Sequence, residues 1–437
     1  MLSDYLSQKT KNRIHKARAG LAAFRYNYPS KKLTVIGVTG TKGKTTVCSL
    51  IASILDAAGL KNAMETTIST KINDKVEYHH QKNRWVTTPP PGVLQKFLRD
   101  ARKNGVQYVV LEVTSQAIDQ YRTAGIDFDV VVFTNLSHDH LDYHGNRENY
   151  LNSKLRLFKE NPQAKFVINA DDENWNLFYN LTGKEKFLYS VKKAVDHGAV
   201  ARKILQNPEG NTFTIASEKG QVTIGSSLPG IFNISNILAA YSVGLALGVD
   251  INKIKSGIEN VAVVKGRMEQ IVVSKKQDFT VIVDYAHNPD SLKNVYETIK
   301  TGLGNRAGRM IAVLGATGRR DKTKRPIMGS LAGRFADLII VTDEDPYDEN
   351  PEEIVNQVAE GVLRGGRKNQ WRLNRNYWKV IDRHQAIKKA ISEAVKGDVV
   401  IITGKGAEEV MAVGRNKFIP FSDRKIVREE LERRFKV

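Results

Sequence analysis

The fold of this chain is decided by the stretch Gly40-Thr41-Lys42-Gly43-Lys44-Thr45-Thr46. It follows an apolar run at 33–38 and precedes an amphipathic run at 47–55, the strand, glycine loop and helix order of a phosphate-binding loop. The glycines let backbone N–H groups surround phosphate oxygens, Lys44 can reach the outer phosphates, and Thr45 or Thr46 can hold Mg²⁺. Because the first glycine lies closer to Gly43 than in the common G-x-x-x-x-G-K-[ST] spacing, the loop belongs to a variant class. The stretch therefore predicts a nucleoside triphosphate site; the alternative is a chance glycine turn before a helix.

Strand-like and helix-like runs alternate after this loop. Residues 108–111, 130–133 and 166–168 predict buried strands, and residues 93–103 predict a helix with one apolar face. Such alternation predicts an α/β fold, a mostly parallel sheet with helices on both faces. Between about residues 193 and 230, short strand-like pieces predict a small antiparallel insertion.

A second series of strands and helices begins after Gly266. Its predicted strands are 280–283, 310–314, 338–341 and 399–402. Each ends in a polar or glycine-containing loop, and such loops face the ligand in open parallel sheets. We predict three segments: a short basic N-terminal arm or helix at 1–33, a central nucleotide-binding domain at 34–265, and a Rossmann-like C-terminal α/β domain at 266–437.

The composition is that of a globular protein with full-sized cores, because 41% of the 437 residues are hydrophobic and 26% are charged. No run approaches 18 apolar residues and no secretory signal is evident, so we expect no membrane span and a cytoplasmic location. The single cysteine, Cys48, excludes internal disulfides and multi-cysteine zinc sites.

The net charge of +20 favours anionic partners, but no nucleic-acid-binding module is evident and we expect no nucleic-acid partner. The N-terminal arm contributes strongly, since residues 1–32 hold eight Lys or Arg against one acid, Asp4. Residues 14–26 predict a basic helix with Leu21 and Phe24 on one side. This helix could touch an anionic membrane surface peripherally, or it could pack on its own domain.

Acidic and histidine side chains follow two of the predicted strands. Glu112 ends one strand, and the stretch 138–144 contains His138, Asp139, His140, Asp142 and His144. Beside a phosphate loop these ligands suit Mg²⁺ or Mn²⁺. The histidines alone would also suit zinc, which the absence of a cysteine cluster disfavours.

An ordered set of motifs resembles the Mur ligase family, most closely its MurE branch, from about residue 34 to the C-terminus. The matching segments are Val38–Thr46, Thr87-Thr88-Pro89, Glu112–Gln116, His138–Gly145, Tyr150-x-x-x-Lys154-x-x-Leu157-Phe158, Asn169–Asp172, Gly230–Ala240, Gly266–Glu269, Asp284–Pro289, Asp321–Arg325 and Gly404–Gly406. Because these motifs occur in family order, chance similarity is a poor explanation.

The resemblance implies amide-bond formation: ATP converts a carboxylate into an acyl phosphate, which an amino acid amine then attacks. Lys44 would stabilise the γ-phosphoryl charge during transfer. By resemblance, Thr45 or Thr46, Glu112 and His140 would bind Mg²⁺, and Lys154 would be carbamylated to hold a second metal. The alternative for Lys154 is an ordinary helix lysine.

The resemblance also implies roles for residues elsewhere in the chain. The ATP contacts would be Gly40, Thr41, Lys42, Gly43, Lys44, Thr45, Thr46, Asn236, Arg267 and Asp284, with His287 as a further catalytic residue near the phosphates. The muramyl-peptide acceptor UDP-MurNAc-L-Ala-D-Glu would be held by Thr87, Thr88, Ser115 and Arg122. The amino acid would be held by Asp345, Tyr347 and Glu408.

Three departures from the MurE pattern affect the expected substrates. Only about 33 residues precede the first predicted strand, fewer than a uridine-binding domain needs, so we expect the acceptor to be held differently or replaced. Enzymes that add diaminopimelate carry Asp-Asn-Pro-Arg where this chain has Glu344-Asp345-Pro346-Tyr347.

The second departure bears on which amino acid is added. Without the arginine, the acids Glu344, Asp345 and Asp348 would attract a cationic side chain, so we expect lysine or another diamine. These acids could instead cap the helix predicted after Pro351. Ala407, where relatives carry histidine, weakens the transfer of amino acid specificity further.

Three alternatives remain at this stage. A ligase of the same fold could use another acceptor, as folylpolyglutamate synthases do, or a lipid-linked precursor. A nucleotide-binding regulator could have lost the chemistry, although Lys44, Glu112, His140 and Lys154 are all present. We expect a monomer that acts on small molecules.

Overall fold

The computed structural model of the protein describes residues 8–79, 87–137, 139, 141–207, 210–303, 308–366 and 370–437. The chain forms two compact units. Unit 1 comprises Met1–Leu205, Asn211–Ser227 and Ile231–Ala262, and unit 2 comprises Gln206–Gly210, Leu228–Gly230 and Val263–Val437.

The first unit is built on an eleven-stranded sheet in the order β11-β10-β9-β8-β7-β6-β1-β5-β2-β3-β4. Its strands, β1 to β11, are Thr34–Thr39, Asn62–Glu65, Ser69–Ile72, Lys75–Tyr78, Tyr108–Glu112, Val130–Phe133, Lys165–Asn169, Glu185–Ser190, Gly198–Asn207, Gly210–Ser217 and Gly220–Ser226. Strands β2, β5, β1, β6, β7, β8 and β9 pair in parallel in that order. The carboxyl ends of β1, β2, β5 and β6 therefore meet at one edge.

Helices cover the sheet and bury its apolar strands. Helices α1 to α9 are Gln8–Arg25, Lys44–Ala57, Pro91–Lys103, Ser115–Asp119, Leu141–His144, Arg147–Lys159, Trp175–Tyr179, Ile231–Ala246 and Ile251–Glu259, with a 3₁₀ turn at Pro29–Lys32. Helix α2 packs against α8 and α9. Residues such as Val35, Val109 and Phe133 are fully buried in this core, which fixes the register of the strands that carry the loops.

The second unit has a six-stranded sheet in the order β12-β13-β17-β14-β15-β16 and a two-stranded sheet of β18 and β19. Strands β12 to β19 are Glu269–Gln270, Thr280–Asp284, Met310–Leu314, Leu338–Val341, Tyr377–Lys379, Val399–Thr403, Val410–Ala412 and Phe418–Pro420. Helices α10 to α14 are Pro289–Leu303, Lys324–Phe335, Pro351–Gly365, Arg383–Glu393 and Asp423–Phe435. Pairing from β13 to β16 is parallel, and β12 joins β13 antiparallel.

The structure confirms the predicted α/β fold class and its parallel strands. The antiparallel pieces predicted between 193 and 230 are also present, since β10 and β11 pair antiparallel. They extend the main sheet at its edge rather than forming a separate sheet. Among the described residues, no helix is long and apolar enough to cross a membrane.

Candidate active site

The phosphate-binding loop joins β1 to α2, and its two glycines occupy positions that a side chain would not fit. Gly40 has φ +150°, and a Cβ there would lie 1.8 Å from Thr134 Oγ1. Gly43 has φ +81°, and its Cβ would lie 2.2 Å from Asn236 Oδ1. Both contacts are far below van der Waals distance, so the loop reaches this shape only with glycine. The predicted nucleotide residue Asn236, on α8, therefore lies directly against the loop.

Two lysine side chains converge on the same backbone carbonyl of this loop. Lys44 Nζ donates to Gly40 O at 2.9 Å and to Thr41 O at 2.8 Å. Lys154 Nζ, from α6, donates to Gly40 O at 3.0 Å. Both side chains thus point to the place where a phosphate chain would lie, and Lys44 brings positive charge there.

Lys154 is held in a buried environment that disfavours its charged form. The side chain is 1% exposed, and its Nζ lies 4.3 Å from the centroid of the Tyr150 ring. Burial, followed by the positive charge of Lys44, lowers the pKa of Lys154 well below its ordinary value. Tyr150 in turn bonds Thr41 Oγ1 through its hydroxyl at 2.9 Å, which ties α6 to the loop. A lowered pKa favours the uncharged amine, the form that can act as a nucleophile.

A hydroxyl and a carboxylate meet at the start of α2. Thr45 Oγ1 donates to Glu112 Oε2 at 2.9 Å, and Glu112 is 3% exposed at the end of β5. Nearby, the buried Ser137 Oγ has no hydrogen-bond partner among the described residues, while Ser137 N donates to Thr41 Oγ1. Hydroxyl and carboxylate oxygens are the ligands that Mg²⁺ prefers, so the described residues fit this ion.

The remaining predicted metal ligand lies outside the part of the structure that can be described. His140 is not among the described residues, nor is His138. Within the described residues, no group of three His, Cys, Asp or Glu side chains could hold a metal by itself.

Other loop residues are fixed by contacts with β6. The backbone N–H of Lys42 donates to Asn135 Oδ1 at 2.9 Å, and the Lys42 carbonyl accepts from Thr134 Oγ1 at 2.7 Å. Thr46 is buried in the first turn of α2. The loop is thus fixed by β1, which it follows, and by the two residues that come directly after β6.

Three of the predicted acceptor contacts lie around the end of β5. Thr88 has φ +57°, and its hydroxyl donates to the Glu112 carbonyl at 2.7 Å. The Arg122 guanidinium donates to Thr88 O at 2.9 Å and to Gln120 Oε1 at 2.7 Å. Ser115 is the first residue of α4, immediately after the Thr114 N-cap, and the Thr114 N–H donates to Thr88 Oγ1. Thr88, Ser115 and Arg122 therefore form one polar surface beside Glu112.

His144 takes part in this surface through a hydrogen bond to a serine. Its Nε2 lies 2.9 Å from Ser115 Oγ, and the ring packs near Tyr150. The fourth predicted acceptor residue, Thr87, bonds Thr67 through their hydroxyls at 2.8 Å. Thr67 also donates its backbone N–H to Glu112 Oε2 at 2.9 Å.

In unit 2, the predicted nucleotide residues hold one another in place at the end of β13. Asp284 accepts from the backbone N–H groups of Met268 and Ala286, each at 2.7 Å. Burial raises the pKa of Asp284, and the nearby charge of Arg267 opposes that shift. The Arg267 guanidinium lies 4.3 Å from the Tyr285 ring centroid. His287 Nδ1 donates to the Tyr285 carbonyl at 2.8 Å, which fixes the tautomer with a proton on that nitrogen.

The residues predicted to bind the amino acid form an ion-paired cluster. Lys405 Nζ, 1% exposed, donates to both carboxylate oxygens of Asp345 at 2.8 and 2.9 Å and to Glu408 Oε2 at 2.5 Å. Asp345 and Tyr347 have φ +48° and +53°, and Tyr347 N donates to Ala412 O at 3.0 Å. The cluster lies at the carboxyl ends of β15 and β17.

The structure pairs or buries the three acids that led to the expectation of a cationic substrate. Asp345 pairs with Lys405, which also pairs with Glu408, and Asp348 pairs with Arg319. Glu344 is 3% exposed, and burial raises its pKa to about 8, so it is mostly protonated at neutral pH. The acids do not cap α12 either, because Asn350 is its N-cap.

Sequence reasoning missed Thr67, Asn135 and Tyr150 as site residues. Tyr150 could have been found from its spacing of four residues before Lys154, which places both on one face of α6. Asn135 follows the end of β6, where polar side chains meet the loop. Thr67 had no local signal, because its role depends on the pairing of β2 beside β5.

Family models match most of the chain. The Mur ligase middle domain matches residues 38–244, and the glutamate ligase domain of Mur ligases matches residues 266–406. A UDP-N-acetylmuramoyl-L-alanyl-D-glutamate–2,6-diaminopimelate ligase of Caldanaerobacter subterraneus is 39% identical over 416 residues, which are 95% of this chain and 81% of that protein. The chain belongs to the Mur ligase family.

Solved structures agree with this assignment. A solved ligase of the same printed name has a TM-score of 0.66 and 30% identity to this Mur ligase, covering 96% of this chain and 83% of that one. The folylpolyglutamate synthase of Mycobacterium tuberculosis has a TM-score of 0.70 at 15% identity, covering 97% and 95% of the two chains, and shows a shared fold. As a family member, the chain is an ATP-dependent ligase, of a class that requires Mg²⁺.

Proposed function

We propose that this Mur ligase adds an amino acid to UDP-MurNAc-L-Ala-D-Glu in the cytoplasm, as a step of peptidoglycan precursor synthesis. The observation that carries the proposal is the convergence of Lys44, Lys154, Thr45 and Glu112 at the phosphate-binding loop. The Lys44 cation suits a triphosphate, and the Thr45 and Glu112 oxygens suit its metal. The relatives named above act on the same acceptor by their printed names.

The residues of the loop would act on the phosphates directly. Lys44 would exchange its carbonyl contacts for γ-phosphoryl oxygens and stabilise the charge that develops there as the acceptor carboxylate attacks phosphorus. Thr45 and Glu112 would hold Mg²⁺, which neutralises phosphate charge when bound. ADP leaves, and the amine of the amino acid then displaces phosphate from the acyl phosphate to form the amide.

Carbamylation of Lys154 is part of this proposal. The lowered pKa favours the uncharged amine, whose nitrogen lone pair would attack the carbon of CO₂, forming an N–C bond and releasing one proton to water. The product is an anion beside the cation of Lys44, so the two side chains would attract each other. A carbamate is also a suitable metal ligand.

On the acceptor side, Thr88, Ser115 and Arg122 would bind the peptide and its carboxylate. Hydroxyls and a guanidinium suit phosphate and carboxylate groups. For the amino acid we propose 2,6-diaminopimelate, because the charges that favoured lysine are compensated in unit 2 and the named relatives add that residue.

The test is ADP release by the purified protein with Mg²⁺, ATP and UDP-MurNAc-L-Ala-D-Glu across a panel of amino acids, with mass spectrometry of the product. We expect a mass gain of one diaminopimelate residue and little product with L-lysine. A gain of one lysine would restore the sequence-based preference. Acceptor-dependent turnover with a folate and glutamate would establish the folylpolyglutamate alternative, and ATP binding without turnover on any acceptor would favour the regulator.

We also propose that α1 makes peripheral contact with an anionic membrane surface. The helix packs on unit 1 through the fully buried Ala19 and Ala23. Its opposite side exposes Leu21 at 68% and Phe24 at 72%, and no Asp or Glu lies in the helix. Apolar side chains beside Lys and Arg are typical of interfacial helices.

Vesicle sedimentation tests this contact. The protein should pellet with phosphatidylglycerol vesicles and not with phosphatidylcholine vesicles, and the pair Leu21→Ser and Phe24→Ser should abolish pelleting. Leu363→Ser, at a residue of unit 2 that is 52% exposed, serves as the matched control. Equal pelleting of the double variant would refute the contact. Sedimentation velocity on the same samples tests the proposed monomer.

A further inference from the structure

A buried group of three polar side chains lies beside the candidate site on the hairpin strands β2 to β4. Glu65 ends β2 and is 2% exposed, Thr70 lies in β3, and His79 follows β4 and is 5% exposed. Thr70 Oγ1 lies 2.5 Å from Glu65 Oε2 and 2.9 Å from His79 Nε2. His79 Nε2 also lies 3.4 Å from Glu65 Oε1.

The contacts of this group require a shared proton. His79 Nδ1 faces the carbonyl oxygen of Thr67 at 3.1 Å, and a carbonyl can only accept, so Nδ1 carries a hydrogen. The Thr70 hydroxyl has one hydrogen for two close contacts. Either His79 is protonated on both nitrogens beside the Glu65 carboxylate, or Glu65 carries the proton. In both states the group is a continuous chain of donors and acceptors, which ends at the Thr67 carbonyl.

Thr67 connects this chain to the candidate active site. Its carbonyl accepts from His79, its N–H donates to Glu112 Oε2 at 2.9 Å, and its hydroxyl bonds Thr87 at 2.8 Å. Glu112 Oε2 is also the atom that accepts from Thr45. One residue therefore touches the proposed metal ligand, a proposed acceptor contact and the buried histidine.

We propose that Glu65, Thr70 and His79 are positioning residues that hold the backbone of Thr67 through its carbonyl, so that its N–H fixes the Glu112 carboxylate for Mg²⁺ and its hydroxyl fixes Thr87. This inference rests on the proposed role of Glu112 as a metal ligand. The carbonyl and the N–H of Thr67 belong to adjacent planar peptides joined at its Cα, so the bond from His79 fixes one plane and leaves only rotation about φ and ψ of Thr67 between the two. Groups that orient a metal ligand typically change metal affinity or activity by about 10- to 100-fold when removed.

The turn itself has other support, so variants of His79 should fold. Thr66 N donates to Ser69 O at 3.0 Å, and Thr66 Oγ1 accepts from Ser69 N at 3.1 Å. Loss of the hydrogen bond from His79 releases the Thr67 carbonyl but leaves the hydrogen bonds between Thr66 and Ser69 intact. The expected effect is therefore on metal affinity rather than on the fold.

The two amide replacements of histidine separate the contacts. His79→Asn can place its amide nitrogen near the Nδ1 position and keep donation to Thr67 O, whereas His79→Gln reaches the Nε2 position and loses it. Mn²⁺ affinity is measured by electron paramagnetic resonance titration of the ADP complex, beside the Mg²⁺ concentration for half-maximal turnover. We expect His79→Gln to weaken both by about 10-fold and His79→Asn to stay within about twofold of the wild type.

A second histidine–glutamate pair gives the matched control. His384 Nε2 lies 3.2 Å from Glu430 Oε1 in unit 2, and His384→Gln should leave Mn²⁺ affinity unchanged. If Glu112→Gln weakens Mn²⁺ binding but His79→Gln does not, the positioning role is wrong and the metal-ligand role stands. If Glu112→Gln has no effect, the proposed function of Glu112 fails first. A lower melting temperature of His79→Gln with unchanged Mn²⁺ affinity would show a purely structural role.

Discussion

The two sheets of this Mur ligase differ in how lysine side chains are paired at the carboxyl ends of their strands. In unit 1, Lys44 and Lys154 both donate to the Gly40 carbonyl, so the cation of Lys44 is held by backbone carbonyls of the loop. In unit 2, the buried Lys405 is matched by Asp345 and Glu408. The first arrangement suits a polyanionic ligand that brings its own counter-charge, whereas the buried cation of the second already has its counter-charges within the protein.

This difference explains why charged residues in the sequence were informative about the ligand of unit 1 and misleading about the ligand of unit 2. A lysine in a glycine loop predicts phosphate because no acid of the loop can neutralise it. A cluster of acids after a strand predicts a cation only if the fold brings no lysine or arginine to it. In unit 2 the fold brings Lys405 and Arg319.

Removal of Lys44 should have the largest effect. We expect Lys44→Ala to lower kcat by about 1,000-fold, because the charge on the γ-phosphoryl group loses its main protein cation. Steady-state ADP release measures the change, and Lys61→Ala, at an exposed lysine before β2, is the control. Retention of kcat within tenfold would mean that unit 1 does not depend on this charge.

Removal of Lys154 should have the second-largest effect on kcat. We expect Lys154→Gln to lower kcat by about 100-fold. With ¹³C-bicarbonate, the wild type should show a carbamate signal in its NMR spectrum, since the lowered pKa of Lys154 favours the uncharged amine that reacts with CO₂. The signal should be absent from the variant. A wild-type protein without the signal would leave Lys154 as an ordinary buried lysine.

A smaller effect is expected from an arginine near Tyr347. Burial raises the pKa of Tyr347, and the charge of Arg320 acts against that shift, which places Arg320 near the residue that replaces the arginine of diaminopimelate enzymes. We expect Arg320→Gln to raise the KM for diaminopimelate about 10-fold, as for loss of one charge-assisted hydrogen bond. Lys322→Gln, at an exposed lysine paired with Glu349, should leave the KM unchanged. Equal effects of both variants would show that only general charge matters.

The smallest effect concerns stability and pH. The pKa of Glu344 is raised to about 8 in the folded state from an ordinary 4.5, so the folded state binds the proton more tightly than the unfolded state. Its stabilising contribution is complete below pH 4.5 and is lost as the pH rises through 8. Glu344→Gln should therefore raise the melting temperature at pH 9 by roughly 5 °C and have little effect at pH 5.

Thermal unfolding at the two pH values measures this difference. Asp348→Asn, at a carboxylate exposed on the surface and paired with Arg319, is the control. If Glu344→Gln lowered the melting temperature equally at both pH values, Glu344 would be an ionised member of the cluster in unit 2.

Much of the fold followed from local sequence patterns. The parallel strands were visible as short apolar runs such as Val130–Phe133, because strands buried on both faces are apolar throughout. The order of strands in the sheet was not visible, because pairing joins residues distant in sequence. The position of β5 between β1 and β2 is an example, and it is what brings Glu112 to Thr45 and Thr67.

The sequence by itself determined the phosphate-binding loop, since the conformations of Gly40 and Gly43 and the reach of Lys44 are local properties of a strand, loop and helix. Only the tertiary structure decided which distant side chains meet. It places Lys405 beside the acids near Tyr347, it buries Lys154 beside Lys44, and it brings His79 to the Thr67 carbonyl. The physical reason is that burial and electrostatic pairing depend on distances across the fold, and these distances are set by packing of the whole core rather than by neighbours in sequence.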